Sequence, residues 1–220
     1  MLESRVVLSP TIFTVDSTGS GTSGSGTSGT LPYIISLANA NTSTDGSEIE
    51  FDSSVFTSSS PQTITLGATL VLSEAAGPDV IEGPGAGLVA ISGNNTSVPF
   101  SIAGDTVASI SGLSIIDGNG TYGGGLFNEG TLTITNTTFT GNSAAYGGAI
   151  YTRALGDDPL DGVLTLTGDT FSSNSATAES GAIDNWAGGT VTVTGDTFTG
   201  NSAPNGGAIG NEWGSVAVSN

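Results

Sequence analysis

Arg153 is one of only two basic side chains in this chain of 220 residues, the other being Arg5. It stands at the mouth of an insertion, Arg153-Ala-Leu-Gly-Asp157-Asp158-Pro-Leu-Asp161-Gly, which places three carboxylates near it in sequence. Carboxylates beside a basic group are what general acid–base cleavage of a polysaccharide requires. Asp157, Asp158 and Asp161 are also candidate calcium ligands, because Ca²⁺ takes six to eight oxygens from a flexible loop. Their spacing fits neither an EF-hand nor a glycine- and aspartate-rich calcium nonapeptide. The plainer reading is a solvated loop in which Arg153 offsets carboxylate repulsion, since no second segment supplies carboxylates at a matching position. Trp186 and Trp213 form the other chemical pair. Two indole rings on one edge can stack on sugar faces, which makes Trp186, Trp213 and Arg153 the candidate glycan contacts. The competing reading is that the two rings shield a turn and pack on each other.

Composition removes many alternatives. Twenty acidic residues against two arginines give a formal charge of -18. A chain so acidic repels phosphate backbones and anionic membrane surfaces, so nucleic acid is not an expected partner. There is no Cys and no His. Thiolate or imidazole metal sites, cysteine nucleophiles and serine–histidine triads are therefore excluded. No cofactor is implied beyond calcium at the acidic insertion. No run approaches the eighteen apolar residues of a membrane-spanning helix, and Val6-Val-Leu8 is too short for the apolar core of a signal peptide. The runs Gly123-Gly-Gly and the like lack a following Lys and helix, so they read as turns rather than phosphate loops.

The elements that position these residues form a repeat. Thr131-Leu-Thr-Ile-Thr-Asn-Thr-Thr-Phe139-Thr-Gly-Asn142 leads to Gly147-Gly-Ala-Ile150, and the block returns from Val163 and from Thr190. A further copy opens at Ser215. Starts separated by 32, 27 and 25 residues are the mark of a stacked-repeat architecture. The columns have physical sense. Leu132, Leu164 and Val191 alternate with Thr, so each strand points apolar groups one way and hydroxyls the other. Phe139, Phe171 and Phe198 form an aromatic column, and Asn142, Asn174 and Asn201 an amide column able to bond from coil to coil. Asn136, Gly168 and Gly195 share a corner that needs the left-handed conformation. Asp169 and Asp196 read as corner caps. Short strands, many turns and few helix formers predict an all-β right-handed parallel β-helix, with three strands and three turns per coil.

Upstream, Ile12-Phe-Thr-Val15 reads as a strand and residues 17–30 as a flexible loop rich in Gly, Ser and Thr. Leu31 to Ala40 is the one expected helix. Thr30 is its candidate cap, Pro32 lies in its first turn, and Leu31, Ile34, Ile35 and Ala38 share its apolar face. Laid across the end of a solenoid, such a helix covers open strand edges. Three segments follow: 1–30, with a start motif, first strand and loop; 31–56, the capping helix and first solenoid strand; and 57–220, the coils. The last copy is an unclosed strand ending at Asn220, so continuation into further β-helix or other domains is expected.

Three resemblances agree with this reading. Phe139-Thr-Gly-Asn142 with Gly147-Gly-Ala-Ile150 resembles the paired motifs of chlamydial polymorphic outer-membrane proteins and related autotransporter passengers, over residues 109–220. Phe13 through the helix to Ile49-Glu-Phe-Asp resembles the N-terminal module of bacterial surface β-helix proteins. Leu2-Glu-Ser-Arg5-Val-Val-Leu8 resembles the Leu-Glu-Pro-Arg start of large planctomycete surface proteins, with Ser4 in place of Pro. These resemblances imply an extracellular or cell-surface, non-catalytic segment acting as adhesin, passenger or envelope component, with glycans or a host or neighbouring cell surface as partners. The fold is also that of pectate lyases and polygalacturonases, so a carbohydrate-active β-helix is the alternative.

Overall fold

The computed structural model describes residues 9–154, 156 and 161–220. Asp157, Asp158 and the start motif at residues 2–8 lie outside the described residues.

The repeat folds as read, into coils whose strands stack in parallel and in register. The longest sheet takes one strand from each coil: Thr11–Ser17, Ser47–Phe51, Asp79–Glu82, Val107–Ser111, Thr131–Thr135, Val163–Thr167, Thr190–Thr194 and Ser215–Ser219. A second sheet carries the aromatic column, through Ser114–Ile116, Thr138–Thr140, Thr170–Ser172 and Thr197–Thr199. A third carries Leu126–Asn128, Ile150–Arg153, Ile183–Trp186 and Ile209–Glu212. The fold is a right-handed parallel β-helix, the hand that parallel crossovers adopt almost without exception.

Three strands per coil is too few for the middle of the molecule. Asn119–Tyr122, Ser143–Tyr146 and Ser175–Glu179 pair in parallel as a fourth, three-stranded sheet between the second and third. These segments lack a run of apolar residues, which is why they read as turns. Their backbones nevertheless pair because the coils above and below hold them at strand spacing.

Alternation sets the core. Leu132 and Ile134, Leu164 and Leu166, and Val191 and Val193 are buried, while Thr133 and Thr167 face outward. Burial of each such side chain contributes about 2 kcal/mol. Phe139 and Phe171 stack with ring centroids 5.0 Å apart, and Phe171 and Phe198 at 4.8 Å, with ring planes nearly parallel in both cases. The Gly-Gly-Ala-Ile segment is explained by two constraints. Gly147 adopts φ 63°, and a Cβ on Gly148 would lie 2.2 Å from the Gly181 carbonyl of the next coil.

At the N-terminal end the helix spans Leu31–Ala38 and buries Leu31, Ile34, Ile35 and Ala38 against the first coils. Thr30 occupies the cap position without making the expected cap bond. Its hydroxyl instead donates to the Gly21 carbonyl and accepts from the Ser23 amide. That clamp helps order the Gly/Ser/Thr segment read as a flexible loop. Gly24–Ser25 pairs antiparallel with Ser28–Thr30, which in turn pairs with the first strand.

A candidate binding cleft on the flank of the solenoid

The acidic ladder at one corner illustrates how the repeat disposes of its polar groups. Asp169 accepts hydrogen bonds from the backbone of Thr137 in the preceding coil at 2.7 Å and of Thr167 in its own at 3.1 Å. Asp196 does the same for Asp169 and Thr194, at 2.6 and 2.9 Å. Burial pushes the Asp169 carboxyl up to about 7 despite those two donors. The Asn column is more complete. Asn174 Nδ2 donates to the Phe139 carbonyl at 3.0 Å and to Asn201 Oδ1 at 2.9 Å, while its Oδ1 accepts from the amide and Nδ2 of Asn142. These residues are occupied with one another, so the chemistry left for a ligand lies in the positions that do not recur.

Two variable columns flank the Gly-Gly-Ala-Ile segment. One stands just ahead of it, where Tyr122, Tyr146 and Glu179 align in register. The other follows the Ile strand, where Arg153, Trp186 and Glu212 align. Between them runs Phe127, Tyr151, Asp184 and Gly210. The columns enclose a cleft of about 290 Å³ lined by Tyr122, Tyr146, Tyr151, Arg153, Glu179, Trp186 and Glu212.

One end of the cleft is aromatic. Tyr122 stacks on Tyr146 at 5.5 Å and tilts against Tyr151 at 4.9 Å. Tyr151 is buried, and that burial, followed by the nearby Asp184, pushes its hydroxyl up to about 12. The other end is acidic. The Glu179 carboxyl is raised above its ordinary range, first by hydrogen bonding to the Glu212 carboxyl, then by burial and by the charges of Glu212 and Asp184. Asp184 is raised by burial and by Glu212, while its hydrogen bond from Ser180, at 3.2 Å, opposes the shift. Two carboxyl groups that resist simultaneous ionisation are held together here by the coil spacing.

Arg153 is already engaged. Its Nε and Nη2 donate to Glu129 Oε1 at 2.9 and 2.6 Å, and its guanidinium lies 5.3 Å from the centre of the Phe127 ring. Its charge is thus matched within the chain, and it is poorly placed to act as a base toward a substrate. Asp161 is buried, and among the described residues it accepts a long bond from the Asp105 amide, at 3.4 Å. Among the described residues no group of three or more acidic, His or Cys side chains is arranged to hold a metal ion.

The tryptophans are not equivalent. Trp186 pairs in register with Glu212, so Trp213 lies one residue beyond its counterpart. Trp186 lines the cleft. Trp213 sits in a left-handed turn at φ 65°, is 87 % exposed and does not line the cleft. No ring contact joins the two among the described residues. The tyrosines and Glu179 escaped the sequence reading, although Tyr122 and Tyr146 both stand immediately before a Gly-Gly pair. A variable bulky residue at a fixed offset from an invariant-looking block was the signal.

A parallel β-helix with a ligand-sized cleft on one flank is the class that fold and site define. Residues 136–153 and 197–212 match the repeat of the Chlamydia polymorphic membrane proteins. Each matched segment contains the Phe-x-x-Asn corner, the Gly-Gly-Ala-Ile turn and the first residues of the cleft wall. No curated protein and no solved structure matches the chain. No helix among the described residues is long and apolar enough to cross a membrane.

Proposed function

We propose that this chain is a segment of a bacterial outer-membrane or cell-surface protein, a non-catalytic β-helix that displays the flank cleft as an adhesive contact site. The observation that carries the reading is the match of two coils to a repeat of polymorphic membrane proteins. The physics of the fold supports it. Backbone bonds and interlocked Asn and Phe columns bind each coil to the next, which suits a protease-resistant rod outside the cell. The cleft supplies what adhesion needs, exposed aromatic and charged groups held rigidly by strands on both sides. The host or neighbouring cell surface expected from sequence would meet the protein here, at Trp186 rather than at Trp213.

The carbohydrate-cleaving alternative finds less support in the geometry, because Arg153 is bound to Glu129 and Asp161 is turned inward. The test of display is antibody labelling of intact cells of the source bacterium. Labelling without permeabilisation is expected; labelling that requires permeabilisation would refute the surface reading.

A further inference from the structure

We propose that the flank cleft receives an arginine side chain of a basic partner polypeptide, an inference that rests on reading this cleft as the contact site. The chain contains its own precedent. Glu129 and Phe127 form an aromatic–carboxylate pair, and Arg153 fills it, its guanidinium bonded to the carboxylate and lying over the ring. Two and three coils onward from Phe127 the same kinds of group recur around the cleft, with Trp186 as the aromatic and Glu179 and Glu212 as the carboxylates. Within residues 154–220 there is no basic side chain, so the coils from Trp186 to Asn220 offer Trp186 no counterpart to the guanidinium that Arg153 lays over Phe127.

Charge and shape select the ligand. With Arg153 matched by Glu129, the carboxylates of Glu179, Glu212 and Asp184 dominate the field in the cleft, and a cation there relieves their mutual repulsion. The -18 formal charge of the whole chain steers basic partners toward it and anionic polysaccharides away. A guanidinium is favoured over an ammonium because it is planar, stacks on Trp or Tyr, and can bridge two carboxylates with paired donors. Neutral sugars could use the rings but would leave the carboxylates unopposed.

Trp186 provides the readout. Its fluorescence is followed in the intact chain at physiological salt while an oligo-arginine peptide, an oligo-lysine peptide of equal length or a neutral oligosaccharide is added. Trp213 is replaced by Phe so that one indole reports. Saturable binding is expected in the order arginine, lysine, sugar. The double substitution Glu179→Gln and Glu212→Gln weakens arginine-peptide binding about tenfold, the loss of one charge-assisted interaction. The control pair Glu48→Gln and Glu50→Gln, on the distant long sheet, leaves it unchanged. Equal losses from both pairs would reduce the effect to bulk charge attraction and overturn the proposal. Tighter binding of the oligosaccharide would overturn the ligand class while preserving the cleft as a contact site. Absence of any binding would remove both, yet leave the surface-display reading to its own labelling test.

Discussion

Asn174 shows how much of this fold rests on single side chains. Its amide is fully buried and both of its ends are engaged across two coil junctions. Replacing it with Ala removes the acceptor of the Asn142 backbone amide and one donor to the Phe139 carbonyl. A buried polar group left unmet costs about 1–3 kcal/mol. Asn174→Ala is therefore expected to lower the unfolding free energy by about 3 kcal/mol, read from the urea midpoint. Gly148 carries a different burden. It needs no unusual φ, but an added methyl would collide with the Gly181 carbonyl at 2.2 Å. Backbone is on both sides of that contact, so nothing flexible can yield. Gly148→Ala is expected to separate the coils and abolish cooperative unfolding by circular dichroism; a native-like melt would contradict the stacking argument.

At the scale of the coil, ionisation opposes folding. Asp79 is fully buried in the first coils, and burial followed by the nearby Glu74 charge pushes it up to about 6 from an ordinary 3.8, with the neighbouring Ser47 hydroxyl opposing the shift. Asp169 is pushed the same way, up to about 7. A carboxyl that holds its proton more tightly when folded adds stability that is complete below pH of about 4. That stability is lost as pH rises through the folded value. The melting temperature is thus expected to fall between about pH 4 and pH 7. Asp79→Asn, which cannot ionise, flattens the lower part of that decline and is more stable than the parent at pH 8. A melting temperature that climbs over this range would reverse the sign and refute the assignment. The same scale explains what the sequence concealed. The Phe, Asn and Asp columns were legible because each recurs at a fixed offset in successive copies. The fourth sheet was not, because Asn119–Tyr122 and Ser175–Glu179 show no apolar alternation and owe their extended shape to neighbouring coils. Thr30 looked like a helix cap because its type and position suit one; the Gly21 carbonyl competes for its hydroxyl and wins.

For the molecule as a whole, repetition divides the work. Residues that recur are consumed by strand, corner and ladder, and each coil contacts chiefly its neighbours, so stability accumulates along the axis. Residues that break the repeat bear little structural load. They gather where two variable columns flank the Gly-Gly-Ala-Ile segment, and sequence alone gave only part of that gathering. Arg153 and Trp186 stood out by rarity, whereas Tyr122, Tyr146, Glu179 and Glu212 converge on them only after the chain has coiled. The acidic insertion, the first suspect for chemistry, contributes only Arg153 to the described cleft. Division of labour between recurring and variable positions is the central claim, and equilibrium urea unfolding of Asn174→Ala beside Trp186→Ala tests it most directly. Asn174→Ala should lose about 3 kcal/mol, while Trp186→Ala, at a half-open position with no ladder bond, should stay within about 0.5–1 kcal/mol of the parent. A loss at Trp186 equal to that at Asn174 would contradict the account, because the cleft would then be part of the scaffold.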